Sequence, residues 1–154
     1  MRLSLGFPIP PLLKAMYLNV GNGWSAPGYG VIGVAGSRLS DLGDLAATYQ
    51  EVLRAADYLK PEWPHALLPF CGWGCNILSC VDCREEGAVV YRSETCAAHA
   101  AGYALADFLE MWVDGVDLFN LNAGERATAE IMNPFTRKKT RVTGGRRRPS
   151  DTAP

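Results

Sequence analysis

Leu67-Leu68-Pro69-Phe70-Cys71-Gly72-Trp73-Gly74-Cys75-Asn76-Ile77-Leu78-Ser79-Cys80-Val81-Asp82-Cys83-Arg84-Glu85-Glu86-Gly87-Ala88-Val89-Val90-Tyr91 is the stretch whose reading decides the fold. Small and branched apolar residues dominate Ile77 to Cys83, which suits a pleated, mostly buried surface. Gly72-Trp73-Gly74 breaks the chain into a corner before that strand. Arg84-Glu85-Glu86-Gly87 is polar and ends in glycine, so it turns the chain back. Ala88-Val89-Val90-Tyr91 is again β-branched and aromatic. The expectation is an antiparallel meander over residues 67–91, with one face needing a layer of helices: an α+β domain.

Helical spacing supplies that layer on both sides of the meander. Leu12, Leu13, Met16, Tyr17 and Val20 fall on one helical face behind Pro10-Pro11, where a first turn tolerates proline. Gly21-Asn22-Gly23 stops this helix, and Val31-Ile32-Gly33-Val34 predicts a short strand. Ser40 or Asp41 is the expected cap of a second helix. Leu42, Leu45, Ala46, Tyr49, Val52, Leu53 and Ala56 keep its spacing. Beyond Tyr91 the sequence predicts a loop containing Cys96 and His99. A third helix comes next, with Leu105, Phe108, Leu109, Trp112 and Val113 on its apolar face, closed by Gly115. Trp112 is expected in the core. Glu130 to Phe135 predicts a short extended piece.

A chain of 154 residues, 48% hydrophobic, can bury one real core. No apolar run approaches the ~20 residues that span a bilayer. Prolines 8, 10 and 11 interrupt the slightly basic start, so no signal peptide is expected. Five cysteines, an odd number, fit a reducing compartment better than a disulfide framework. The cytoplasm is the expected location. The net charge of −1 hides a split: residues 1–136 carry 8 basic and 15 acidic groups, and 7 basic residues crowd between Arg137 and Arg148. A body of net charge −7 repels nucleic acid and attracts basic partners. The division expected is a domain over 1–136 and a basic, disordered tail over 137–154. The tail lacks interleaved aromatics beyond Phe135, so specific nucleic-acid binding is not expected.

Motifs for chemistry are weak. Gly28-Tyr29-Gly30-Val31-Ile32-Gly33 matches G-x-G-x-x-G, but a dinucleotide fingerprint needs a strand before it and a helix after it. Here a helix and turn precede it, so it reads as a structural turn. Cys71, Cys75, Cys80 and Cys83 could be four zinc ligands. Cys80 and Cys83 are an odd number apart on a predicted strand and so point to opposite faces; buried core thiols are the stronger reading. Cys96 and His99 have no further residues to complete a nucleophilic site. No cofactor, metal or catalytic residue is expected. Trp24, Tyr29 and Trp73 lie in glycine-rich loops, where a half-exposed aromatic suits an interface. Glu85, Glu86, Asp107, Glu110, Asp114 and Asp117 read as solvated carboxylates or as parts of an acidic docking surface.

The order of these pieces resembles the SUKH superfamily of Smi/Knr-type domains. Leu12-Leu13 to Tyr17, Gly21-Asn22-Gly23 and Pro27-Gly28-Tyr29-Gly30 resemble its opening. Leu68-Pro69-Phe70 with Trp73-Gly74-Cys75, then Cys80-Val81-Asp82-Cys83 and Gly87-Ala88-Val89-Val90, resemble its central meander. Leu105 to Trp112 and Gly115 resemble its closing helix. The likeness covers roughly residues 8–120. Relatives usually carry a further amphipathic helix before the region matching Ile9-Pro10-Pro11, and this chain starts almost there.

The resemblance implies an α+β domain that binds proteins without catalysis. The family includes bacterial immunity proteins that neutralise toxins, often nucleases, and fungal regulators of cell-wall synthesis. It supplies no transferable catalytic residues. The reading is therefore a protein-binding module of immunity type with a toxin as partner, and partner-binding residues Trp24, Tyr29, Trp73, Glu85, Glu86, Asp114 and Asp117. The alternatives are a regulatory scaffold for a cellular protein and a zinc-dependent structural or enzymatic domain using the four cysteines.

Overall fold

A computed structural model describes residues 5–23, 28–37, 43–59, 62–84, 88–121, 129–132 and 139–142. Its centre is a five-stranded, wholly antiparallel sheet in the order β1 (Gly30–Val31), β2 (Leu67–Gly74), β3 (Ile77–Asp82), β4 (Val89–Glu94) and β5 (Ala97–Ala104). Three helices accompany it: α1 (Pro11–Asn19), α2 (Leu45–Leu59) and α3 (Leu105–Val113). The expected α+β class and the meander are present. Among the described residues, no helix is long and apolar enough to cross a membrane.

β2 carries two irregularities. Pro69 pairs with Cys80 and Cys71 with Ser79, so Phe70 is an extra residue against β3. Gly72 pairs with Leu78 and Gly74 with Ile77, so Trp73 is a second one. A bulge of this kind re-aims its side chain. It also gives Pro69 a place inside a sheet, where a missing N–H would otherwise break the ladder. Phe70 enters the core, 1% exposed, with its ring edge-on to Phe108 at 5.1 Å. Trp73 stays half-buried at the surface. The turn from β2 to β3 is Cys75-Asn76, with φ of 49° and 60°. Two residues at positive φ make the tight hairpin whose twist matches the strands. The glycine pair flanking Trp73 thus accompanies a bulge, and the corner itself lies just beyond it.

The helices form where expected, with shifts at their ends. Pro11 opens α1, whose buried residues are Leu13 and Tyr17. The Tyr17 hydroxyl donates to the Ile32 carbonyl at 2.7 Å, tying the helix to the chain leaving β1. Leu12 and Val20, expected on the inner face, are exposed. β1 is two residues long, shorter than the expected Val31–Val34 strand. Pairing with β2 ends after the Ile32 N–H reaches the Phe70 carbonyl at 2.9 Å. The Val34 N–H turns instead to the Asn22 side chain at 2.6 Å.

α2 is capped by Asp44, whose carboxylate accepts from the Ala47 N–H at 2.9 Å. Residues 38–42, with the expected caps Ser40 and Asp41, lie outside the described residues. Leu45, Tyr49, Val52 and Ala56 face the core from α2. α3 buries Leu105, Phe108 and Met111. Trp112, expected in the core, is half-buried, and Val113 is 72% exposed.

The expected loop after Tyr91 is a strand. β4 runs on to Glu94, Thr95-Cys96 turns the chain at φ of 51° and 65°, and His99 pairs with Arg92 inside β5. Ala97-Ala98-His99-Ala100-Ala101 contains no β-branched residue, so propensity gives no strand signal. Pairing with β4 overrides it. Farther on, β6 (Ala129–Met132) and β7 (Lys139–Val142) form an antiparallel hairpin. The stretch expected to be a disordered tail therefore carries a strand at Lys139–Val142, and the rest of it lies outside the described residues.

One ionised group is built into the sheet's end. Asp82 is 1% exposed and takes two hydrogen bonds from the Arg84 guanidinium, at 2.9 and 2.5 Å, and one from the Arg84 N–H at 2.9 Å. The Arg84 side-chain bonds hold its carboxyl below the usual carboxylate range, against the opposing effect of burial. A depressed folded-state pKa gives stability that is fully present above the unfolded value, about 3.9. That stability is lost as pH falls through the folded value. Asp82→Asn is expected to destabilise by about 1–3 kcal/mol at neutral pH. Denaturant titrations between about pH 5 and about pH 2 should show a shallower loss in the variant than in the wild type. Equal slopes would show that Asp82 contributes nothing to the acid transition.

Candidate functional site

The end of α3 sets up the site. Gly115, at φ +79°, closes the helix with its N–H on Trp112 O at 3.0 Å, and the Val116 N–H returns to Met111 O at 2.9 Å. These are the paired bonds of a Schellman turn, which asks for a left-handed residue where Gly115 stands. Val116 and Leu118 bury, at 8% and 3% exposure, while Asp117 and Phe119 stay at the surface. Asp117 fixes the next turn of the chain. Its carboxylate accepts from the Phe119 N–H at 3.2 Å, the Asn120 N–H at 3.3 Å and the Asn120 side-chain amide at 2.6 Å.

This segment meets Trp73. The two line an open groove of about 470 Å³ with Gly28, Val116, Asp117, Leu118 and Phe119. Trp73 is fixed at its polar end: its indole N–H donates to the Ser79 hydroxyl at 2.8 Å. Its ring lies 5.7 Å from that of Phe119, tilted by 52°. The Arg92 guanidinium stands 4.6 Å from the centre of the Phe119 ring and donates to the Phe119 carbonyl. Arg92 also reaches Glu94 at 3.0 Å, so its charge is locally balanced. Cation, ring and indole form one stack across the strands, an arrangement that holds rings rigidly against solvent.

Tyr29 stands beside this stack. Its backbone N–H donates to the Gly72 carbonyl at 2.8 Å. Its ring covers Gly74 so closely that a Cβ added there would collide with the ring edge. The side chain is nevertheless 76% exposed. Among the described residues its hydroxyl has no hydrogen-bond partner. A large ring thus sits on a glycine and is open to solvent.

Two of the expected binding residues, Trp73 and Asp117, line the groove, and Tyr29 lies over Gly74, the residue after Trp73. Asp117 has a task inside the chain that its expected role did not include: its oxygens hold the turn that presents Phe119. The Asn120 side-chain hydrogen bond, first among several, holds its carboxyl below the usual range. Asp114 sits at the end of α3 and is not part of the groove lining. Trp24, Glu85 and Glu86 lie outside the described residues. Phe119 and Arg92 were not anticipated. Val116-Asp117-Leu118-Phe119 carried the available signal, an apolar alternation interrupted by a turn-forming aspartate.

The cysteines do not gather. Among the described residues, no group of three or more His, Cys, Asp or Glu could hold a metal ion. None of the five cysteines is in a disulfide. Burial pushes the Cys71 thiol up to about 12 and the Cys80 thiol well above its ordinary value. Burial, with Asp82 adjacent, pushes Cys83 up to about 12. Burial thus keeps these three as thiols at neutral pH. The G-x-G-x-x-G stretch contributes Gly28 to the groove and runs into β1; the next helix, α2, begins only at Leu45, whose N–H donates to the Gly33 carbonyl at 2.7 Å. No family model matches the chain, and neither does any curated protein or solved structure.

Proposed function

We propose that this protein is a non-catalytic protein-binding module whose docking surface is the end of the sheet bearing Tyr29, Trp73 and Phe119. One observation carries the reading. Tyr29 is 76% exposed while its ring lies over Gly74, next to Trp73 and its groove. Ordering a side chain on binding costs entropy, and a tyrosine, with two rotatable bonds and a rigid ring, offers a large contact area at low cost. The acidic body, net −7 over residues 1–136, favours a basic partner. The resemblance to toxin-neutralising domains supplies the finer reading: the partner is a toxin, held stoichiometrically and blocked.

The test is a titration of the full chain with the toxin encoded beside its gene. Association is expected at low ionic strength. It should weaken, chiefly through a slower on-rate, as salt rises from about 50 to about 300 mM and the Debye length shrinks. No detectable association at low salt, with both proteins folded, would contradict the toxin reading.

A further inference from the structure

β5 is the last strand of the sheet, and among the described residues nothing pairs with its outer edge. Only β4 pairs with it, and among the described residues no other backbone or side chain hydrogen-bonds to Ala97–Ala100. The two-residue turn Thr95-Cys96 makes Glu94 and Ala97 the first hydrogen-bonded pair. Such pairs alternate along an antiparallel ladder, so Arg92 and His99 form the next one. The N–H and C=O groups of Ala98 and Ala100 therefore point away from the sheet.

Natural sheets protect such an edge with lysine, proline or inward charges. Residues 97–104 contain no charged residue and no proline. β5 bulges only beyond Ala100, where Ala104 pairs with Val89 and Ala100 with Tyr91. The straight part, Ala97–Ala100, is left bare.

We infer that this edge pairs with the same edge of a second copy, β5 against β5 across a two-fold axis, to give a homodimer. The four outward groups are self-complementary and set the register. Placing Ala98 opposite the partner's Ala100 matches every outward N–H to an outward C=O, and the two-fold returns the same match. His99 then faces its own symmetry mate in a non-hydrogen-bonded pair. Side chains there are Ala, His and Ala, so the copies meet without like charges or bulk. A partner recruited by charge finds no Asp, Glu, Lys or Arg to recognise on this strand. The edge adjoins the Tyr29–Trp73–Phe119 surface through Arg92, which pairs with His99 and holds Phe119, and the two are read by separate measurements, oligomeric state here and toxin affinity there.

Two substitutions probe the pairing without touching the core. Ala100→Pro removes an outward N–H, which an edge strand tolerates because the β4 ladder does not use it. His99→Lys sets two ammonium groups against each other across the axis. Sedimentation of the full chain, loaded from roughly 10 to roughly 500 µM to span the affinities of small interfaces, reads the outcome. The wild type is expected to approach twice the chain mass of 16.7 kDa, and both variants to stay at the single mass. Far-UV circular dichroism establishes which variants are folded, and one folded variant suffices. A wild type at the single mass throughout, or a folded variant at the double mass, overturns the proposal.

Discussion

Replacing Phe70 with alanine is expected to destabilise the protein by about 3–5 kcal/mol, the usual cost of deleting a buried phenyl ring. Whole domains of this size are stable by only about 5–15 kcal/mol, so the variant should be close to unfolding at physiological temperature. Two features put Phe70 at the upper end. It is an extra residue in the β2–β3 ladder, so no β3 residue directly opposes it. Its ring, 1% exposed, meets Phe108 edge-on at 5.1 Å. Truncation would leave a cavity between sheet and α3, and the bulge would lose the anchor that sets its direction. Thermal melts should fall by about 6–20 °C. Phe108→Ala should cost less in the Phe70→Ala background than alone, because both remove one contact. A loss under about 1 kcal/mol would mean that sheet and helix do not share this core.

Gly28→Ala is expected to damage binding most. Gly28 has φ +71°, a backbone region that costs any residue with a Cβ about 1–2 kcal/mol. The added carbon would also lie 2.8 Å from the Gly72 carbonyl oxygen and 2.8 Å from the Trp73 ring. The carbonyl is backbone, and it accepts the Tyr29 N–H at 2.8 Å. Relief of the clash must therefore separate Tyr29 from Gly72 or push the indole toward the groove. Either movement disturbs both aromatic anchors at once. Stability should drop by about 1–3 kcal/mol. Affinity for the partner should fall by about 100-fold or more, as when a central hot spot is lost. The indole N–H signal of Trp73, bonded to Ser79 in the wild type, should shift in NMR spectra. Wild-type affinity in folded Gly28→Ala would place the docking surface elsewhere.

The meander was legible because its apolar residues are β-branched or aromatic and its turns are polar or glycine-rich. The helices were legible because Leu13, Tyr17, Leu45, Tyr49, Val52, Leu105 and Phe108 recur at helical spacing. β5 was hidden because alanine gives no strand signal, and only its pairing with β4 makes the strand. The site was half legible. Tyr29 and Trp73 stood out as aromatics beside glycines. The bulge that turns Trp73 outward depends on a register that no local pattern encodes. Phe119 and Arg92 meet through the Schellman turn after α3, which folds sequence-distant residues onto the same strands. Asp117 looked like a docking carboxylate, and its hydrogen bonds spend it on a turn.

Tyr29→Ala tests the central claim most directly. The ring is exposed and contributes little to the core, so the melting temperature should stay within about 2 °C of the wild type. Titrated calorimetrically with the toxin proposed as its partner, the variant should bind at least about tenfold more weakly, a loss of ~1.4 kcal/mol or more. An unchanged affinity in a folded variant would contradict the account, because the ring on Gly74 would then not be where this protein grips its partner.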